Sequence, residues 1–361
     1  MLEPKQEKRV LFLVNGLGMG NSTRCFSLVE KLSEADVKVD VMTSGNGLLF
    51  FEDKKGNQVD RLIETNSVYY GKGKEGKLSI IQTLFSLVNF ASSYLKNNRL
   101  VESYLDNNKV DAVVIDSEYI FRPIQKRRIP IIALNNSDVV ISSFFKLKDK
   151  PLNIYPQFFI VELLDFLYHL FIPDKVISPR LKNFVSFGKK IVPVGPIVRK
   201  QYLPSSSGRV IKNVVIMLSG SAFGSQVNFK KETFPFKIDV VGREGEDLDG
   251  LFFHGKLFDN YELISRADVL VINAGFSAVS EAVFMRKPCI VIPVENHAEQ
   301  FVNAKNVELM GYGFCSTPEN MAHSLKKMCL EIETYRSRIA ESEFCANGVE
   351  KAFQVLMNFL R

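Results

Sequence analysis

Residues 268–304, DVLVINAGFSAVSEAVFMRKPCIVIPVENHAEQFVNA, combine a buried strand, a small-residue turn, a helix start and a carboxylate one turn inside that helix. Val269, Leu270, Val271 and Ile272 form an unbroken apolar run, the pattern of a parallel strand covered on both faces. Asn273, Ala274, Gly275 and Phe276 break that run, and Ser277 is a good N-cap for a helix. Ala278, Val279, Ala282 and Val283 recur at helical spacing, which predicts a helix over 277–285, ended by Lys287 and Pro288. The first-turn N–H groups of such a helix have no partners within it, and together with the macrodipole they attract a phosphate. Gly275 lets a ligand come close to the backbone. Glu281 sits a turn further in, where a carboxylate accepts both hydroxyls of a ribose. The strand CIVIP, the loop VENHAEQ with Glu299 and Gln300, and a helix containing Asn303 and Ala304 complete the segment.

The amino-terminal half repeats the design. Val10 to Val14 make a buried strand, NGLGMGNSTR the turn, and Cys25, Leu28, Val29 and Leu32 the inward face of a helix. Gly16, Gly18 and Gly20 invite a dinucleotide reading, but Asn21 takes the position of the last glycine in G-x-G-x-x-G. The second strand ends in Met42, Thr43 and Ser44, with no acid to hold a ribose, so a nicotinamide or flavin enzyme fits poorly. Further strands end at Asp116, Leu134, Ser178 and Val198 and alternate with helices, as a doubly wound sheet requires.

The motif S-x-x-S-E at Ser277–Glu281, the K-P-x-x-x-x-P strand from Lys287 to Pro293, and the pairs Glu299–Gln300 and Asn303–Ala304 resemble the donor half of family 28 nucleotide-sugar glycosyltransferases. The resemblance implies an α/β fold of two Rossmann-like, doubly wound domains facing across a cleft (GT-B). Glu281 would hold the ribose, Asn273, Gly275, Phe276 and Ser277 the diphosphate turn, and Glu299 with Gln300 the sugar hydroxyls. The loop with Gly18, Gly20, Asn21 and Arg24 would lie across the cleft, and Ser219, Gly220 and Ser221 follow the first strand of the second domain where relatives have Gly-Gly-Ser. Relatives often show G-H-x-x-R where this chain has Gly20 to Arg24. Asn21 replaces the histidine, and an amide cannot accept a proton at neutral pH.

Size and composition agree. A chain of 361 residues, 46% hydrophobic and 24% charged, is globular and exceeds one comfortable core. The expected division is a first domain over 1–202, a linker over 203–208 (LPSSSG), a donor-binding domain over 209–340, and a helix over 341–361 that, by resemblance, packs back on the first domain. A net charge of +6, scattered along the chain, favours anionic ligands and does not argue for nucleic acid. Five cysteines without a C-x-x-C pair suit a reducing cytosol, and the charged start MLEPKQEKR carries no expected secretory signal.

The stretch FFIVELLDFLYHLFI, 158–172, is too short for a membrane span and carries Glu162, Asp165 and His169 as one narrow polar stripe. A helix apolar on every other side is expected to be buried in the core or in a dimer contact. The alternative is an interfacial helix, residues 157–172, on an anionic membrane, flanked as it is by lysines and arginines.

Glycosyl transfer requires stabilisation of charge on the leaving diphosphate and removal of a proton from the acceptor. The helix starts at Ser277, Asn21 and Ser221, with Arg24, are expected to supply the first without a metal or other cofactor. The D-x-D at Asp247–Asp249 reads as a solvated turn rather than a metal site. Asp116 and Glu118, at the carboxyl edge of a first-domain strand, are the expected bases, with helix capping as the other role open to them. The expectation is a cytosolic, inverting, metal-independent transferase that takes a UDP-sugar, UDP-N-acetylglucosamine by resemblance, to a glycan, lipid-linked or small-molecule hydroxyl, with peripheral contact at the inner face of the membrane as a variant. A UDP-sugar 2-epimerase and a non-catalytic nucleotide-sugar-binding subunit are the alternatives.

Overall fold

A computed structural model of the chain describes residues 7–67, 87–182, 188–199, 210–218, 234–247, 249–343 and 346–360. The expected linker 203–208 and the turn Ser219–Ser221 lie outside the described residues.

Two wholly parallel sheets organise the chain. The first contains β1 (Arg9–Val14), β2 (Lys38–Thr43), β3 (Arg61–Glu64), β4 (Ala112–Asp116), β5 (Ile131–Leu134), β6 (Lys175–Pro179) and β7 (Ile191–Val194), in the order β3-β2-β1-β4-β5-β6-β7. The second contains β8 (Asn213–Met217), β9 (Lys237–Val241), β10 (Leu251–Phe253), β11 (Val269–Asn273), β12 (Cys289–Ile292) and β13 (Gly313–Cys315), in the order β10-β9-β8-β11-β12-β13. The apolar runs read from the sequence are the central strands: β1, β4, β11 and β12 bury their whole cores because helices cover both faces. Strand order reverses between β1 and β4 and again between β8 and β11, and ligands of open α/β sheets bind at the carboxyl ends beside such reversals.

The expected turn NGLGMGNSTR is half helix: the helix Met19–Glu34 begins inside it, so Gly20, Asn21 and Arg24 stand on its first turns. Gly16 is required for packing, since a Cβ there would come within 1.6 Å of the Ser44 carbonyl oxygen. The helix Val349–Leu360 buries Val349, Ala352, Leu356 and Leu360 against Val10, Phe12 and Leu28 of the first sheet's layer. Its approach runs beside the chain leaving β7. Gly348 donates its backbone N–H to the Pro196 carbonyl at 2.8 Å, Asn347 its side-chain amide to the Val198 carbonyl at 3.0 Å, and a Cβ on Gly195 would meet the Ala346 carbonyl at 1.9 Å.

The stretch 155–171 is helical throughout: Tyr155–Gln157, a π-helical turn Phe158–Glu162, and Leu163–Phe171. The structure corrects the expected burial within the chain's own core. Gln157, Phe158, Glu162 and His169 are buried, while Phe159, Ile160, Leu164, Leu167 and Phe171 are exposed by 50%, 43%, 58%, 37% and 68%. The polar stripe faces inward and much of the apolar surface faces out. With the turn from Leu152 the stretch reaches 20 residues, long and apolar enough to cross a bilayer by length and composition, which corrects the shorter span read over 158–172. Asp165 nevertheless ties it to the first sheet, accepting from Tyr119 Oη at 2.8 Å and Asn135 Nδ2 at 3.0 Å.

Candidate active site

Asn15 after β1, Ser117 after β4, Met217 in β8 and Asn273 in β11 all line one cavity of about 620 Å³. Both strand-order reversals therefore face the same space.

On the second-domain side the helix is Phe276–Phe284, with Gly275 as N-cap. This moves the predicted start by one residue and gives Ser277 a different task. With a glycine at the cap, no side chain crowds the helix end, and a Cβ on Gly275 would meet nothing within 4 Å. Ser277 instead donates from Oγ to the Gly20 carbonyl at 2.9 Å, joining this helix start to the first turn of the helix Met19–Glu34. Gly18 opposite is equally open, so both backbones present unobstructed surface to the cavity. Asn273 Nδ2 donates to the Ile292 carbonyl at 2.9 Å and braces β11 against β12. Phe276 is buried under the turn and also lines the cavity.

Glu281 lines the cavity and is 9% exposed. Burial raises its carboxyl, against the opposing charge of Arg199, whose Nη2 lies 3.4 Å from Oε1. Arg199 also meets Asp259 and Asn260, and is the last described residue before the expected linker. Glu299 and Gln300 stand in the first turn of the helix Ala298–Leu309. Gln300 Oε1 accepts from the Val294 backbone at 2.9 Å, and Glu299 faces Asn303 Nδ2 at 3.4 Å.

The first-domain acids are arranged differently from the expectation. Asp116 is fully buried and does not line the cavity. It accepts from Arg24 Nε at 2.9 Å and Nη2 at 2.6 Å and from the Cys25 thiol at 3.3 Å. Burial opposes the Arg24 charge, but this carboxylate outweighs it and keeps the guanidinium above its ordinary pKa. Arg24 Nη2 also reaches Asn21 Oδ1 at 3.4 Å and lines the cavity. Glu118 does not line it either. It lies between Ser117 and Tyr119, which do, and burial pushes its carboxyl up to about 7. Ser117 takes φ of +54°, a left-handed conformation uncommon outside glycine.

Among the described residues, the first-domain acids that line the cavity are Glu162 and Asp165, both from the stripe read as buried or interfacial. His169 meets Asp165, with Nδ1 3.2 Å from Oδ1, and the pair holds Asp165 low and His169 high against the effect of burial on each. Glu162, His297 and Glu299 each bring one ligand-type atom within 4.8 Å of the others. A cation there would compete with a donor already on Glu162, the Gln157 amide at 2.6 Å, beside the Glu299 backbone N–H that this carboxylate faces. Burial and the Glu299 charge raise the Glu162 carboxyl, burial raises that of Glu299, and burial pushes His297 down to about 4. Asp247 of the D-x-D is exposed and accepts from the Phe253 N–H at 2.7 Å.

Sequence reasoning left out Arg199, Gln157 and Asp165 as cavity residues. The i, i+3, i+7 spacing of Glu162, Asp165 and His169 was the available signal for the last. Nothing local marks Arg199, whose partner Asp259 is 60 residues away, and Gln157 meets Glu162 five residues on but the Ala298 N–H only across 141 residues.

Two facing parallel sheets with a shared cavity at both reversals define the GT-B fold. The chain belongs to glycosyl transferase family 1, whose description matches residues 8–332. It is 24% identical over 358 residues to an uncharacterized glycosyltransferase of Methanosarcina acetivorans, with 92% of each chain covered. It is 22% identical over 373 residues to the UDP-N-acetylglucosamine–N-acetylmuramyl-(pentapeptide) pyrophosphoryl-undecaprenol N-acetylglucosamine transferase of Clostridium botulinum, with 94% of each covered. Among solved structures, Acinetobacter baumannii MurG superposes with a TM-score of 0.61 at 14% identity over 97% of this chain and 99% of that one. The calicheamicin glycosyltransferase CalG4 superposes with 0.60 at 15% identity over 98% of each.

Proposed function

We propose that this glycosyltransferase takes its sugar from a UDP-sugar, with UDP-N-acetylglucosamine as the first donor to try, and delivers it with inversion to a hydroxyl without a metal. The observation that carries the donor is the Ser277–Gly20 contact between a glycine-capped helix start and the first turn of the helix Met19–Glu34, with Glu281 one turn below. Unpaired N–H groups at that helix start suit a diphosphate, Glu281 suits a ribose, and Glu299 with Gln300 suits a sugar. The N-acetylglucosaminyltransferase named among the relatives favours the same donor. Charge growing on the leaving diphosphate would meet fixed N–H donors and Arg24, which Asp116 holds in place.

For the acceptor proton we propose Asp165 rather than Asp116, because Asp165 reaches the cavity and is not committed to a guanidinium. The exposed apolar residues of 157–171 make the same wall a contact for a cytoplasmic membrane face, and with it a lipid-linked acceptor. A thermal-shift series with UDP, TDP, GDP and their sugars tests the donor: the protein should melt higher with UDP and UDP-N-acetylglucosamine. No shift with any nucleotide would remove the donor site.

A further inference from the structure

The helix Ala298–Leu309 carries Glu299 and Gln300 in its first turn, yet its N-cap, His297, makes no side-chain capping hydrogen bond. An α-helix leaves its first backbone N–H groups without partners, and a helix end without caps inside a protein costs free energy. Here the caps come from the other domain. Gln157 Oε1 accepts from the Ala298 N–H at 2.8 Å, and the Glu162 carboxylate faces the Glu299 backbone N–H. Gln157 Nε2 then donates to Glu162 Oε1 at 2.6 Å, so the two caps brace each other.

Apolar packing surrounds this contact. Val140, Ile141, Phe144 and Phe158 of the first domain form one cluster with Ala298 and Val302. Gln157 and Glu162 are 3% and 6% exposed, so neither polar side chain is a solvated bystander. The π-helical turn Phe158–Glu162 is the irregularity in this helix, and such turns re-aim side chains at functional positions.

We infer that Gln157 and Glu162 are positioning residues for donor-sugar recognition: capping the helix Ala298–Leu309 in trans, they hold Glu299 and Gln300 in the geometry that reads the sugar only when the two domains are together. This rests on the donor reading above for what Glu299 and Gln300 bind, while the capping is independent of it. The donor reading gives the nucleotide to Glu281 and the helix Phe276–Phe284, to which no hydrogen bond of Gln157 or Glu162 runs. Asn303 Nδ2, donating to the Ala274 carbonyl at 3.0 Å, joins the helix Ala298–Leu309 to the turn before Phe276, and the two parts of the donor are expected to separate in affinity. A free nucleoside diphosphate needs no trans cap; a nucleotide sugar does.

Two measurements on the full chain test this, with Gln157→Ala, Glu162→Ala and the near-isosteric Glu162→Gln. In the ligand-free protein, hydrogen exchange at the Ala298 and Glu299 amides should accelerate about tenfold in the alanine variants, the scale of one lost hydrogen bond, while β11 and β12 keep their protection. In titrations, UDP should bind within about twofold of wild type, and UDP-N-acetylglucosamine about tenfold more weakly, with Glu162→Gln between wild type and Glu162→Ala in both experiments. Unchanged exchange at both amides would overturn the capping, and a parallel loss of UDP and UDP-sugar affinity would overturn the separation. If the wild type binds neither ligand, the donor reading fails on its own, and the exchange result still decides whether Gln157 and Glu162 hold this turn.

Discussion

Arg24 and Asp116 form a two-point ion pair in which neither side chain is more than 6% exposed, on the wall behind the cavity. Breaking such a pair from one side leaves a buried charge without compensation. Asp116→Asn should therefore lower unfolding free energy by about 3–5 kcal/mol, seen as a lower urea midpoint. Adding Arg24→Met should restore part of it. An Asp116→Asn enzyme of normal stability but no transfer activity would make Asp116 a catalytic residue instead.

Glu281 is expected to contribute through ribose hydroxyls. Glu281→Gln should weaken UDP by about 2 kcal/mol, roughly thirtyfold, in calorimetric titration. A UDP analogue lacking both ribose hydroxyls should bind wild type and variant alike, and a difference there would assign Glu281 another role.

The sequence carries the sheets and the donor turn because parallel strands and phosphate-facing helix starts have local signatures: the runs Val10–Val14 and Val269–Ile272, and Gly275 before an amphipathic helix. β3 and β13 are short edge strands with little apolar pattern, and their partners complete them. Residues 157–171 mislead for a physical reason. Periodicity reports that a helix has a polar stripe and an apolar remainder, but not which side faces the protein. Here Glu162 and Asp165 of the stripe face the cavity, so the ordinary inference inverts. Asp116 looks catalytic by its place at a strand end, but Arg24, 92 residues away, claims both its oxygens.

Glu118 makes stability depend on pH. Its carboxyl titrates near 4.5 when unfolded and at about 7 when folded, so between those values the folded state binds the extra proton. Its contribution is present at low pH and is lost as pH rises through about 7. Glu118→Gln keeps a neutral group at every pH, and its melting temperature relative to wild type should climb from about pH 5 to 7.5. A flat difference across that range would mean that Glu118 is solvated.

Asp165→Asn should cut kcat by two orders of magnitude or more, the usual scale for a general base, and leave the donor KM within about twofold. Glu118→Gln at neutral pH should lose far less. The reverse ranking would move the proton to Glu118.

Exposed Phe159, Leu164 and Phe171 predict binding to anionic vesicles, because each buried apolar side chain is worth about 1.5–3 kcal/mol. Replacing all three with serine should abolish co-sedimentation with phosphatidylglycerol vesicles while leaving UDP affinity intact. Equal sedimentation of wild type and variant would rule out this face as the contact.

The hydrogen-bonded crossing of residues 196–198 with 347–348 bears on how the cleft opens. A single tether would let the two halves swing and twist freely. Here the two runs of chain are bonded side by side and meet backbone to backbone at Gly195 and Gly348. Even an alanine at either glycine would force the two runs apart, since a Cβ on Gly195 would meet the Ala346 carbonyl at 1.9 Å and one on Gly348 the Gly195 carbonyl at 2.1 Å, at positions that do not line the cavity.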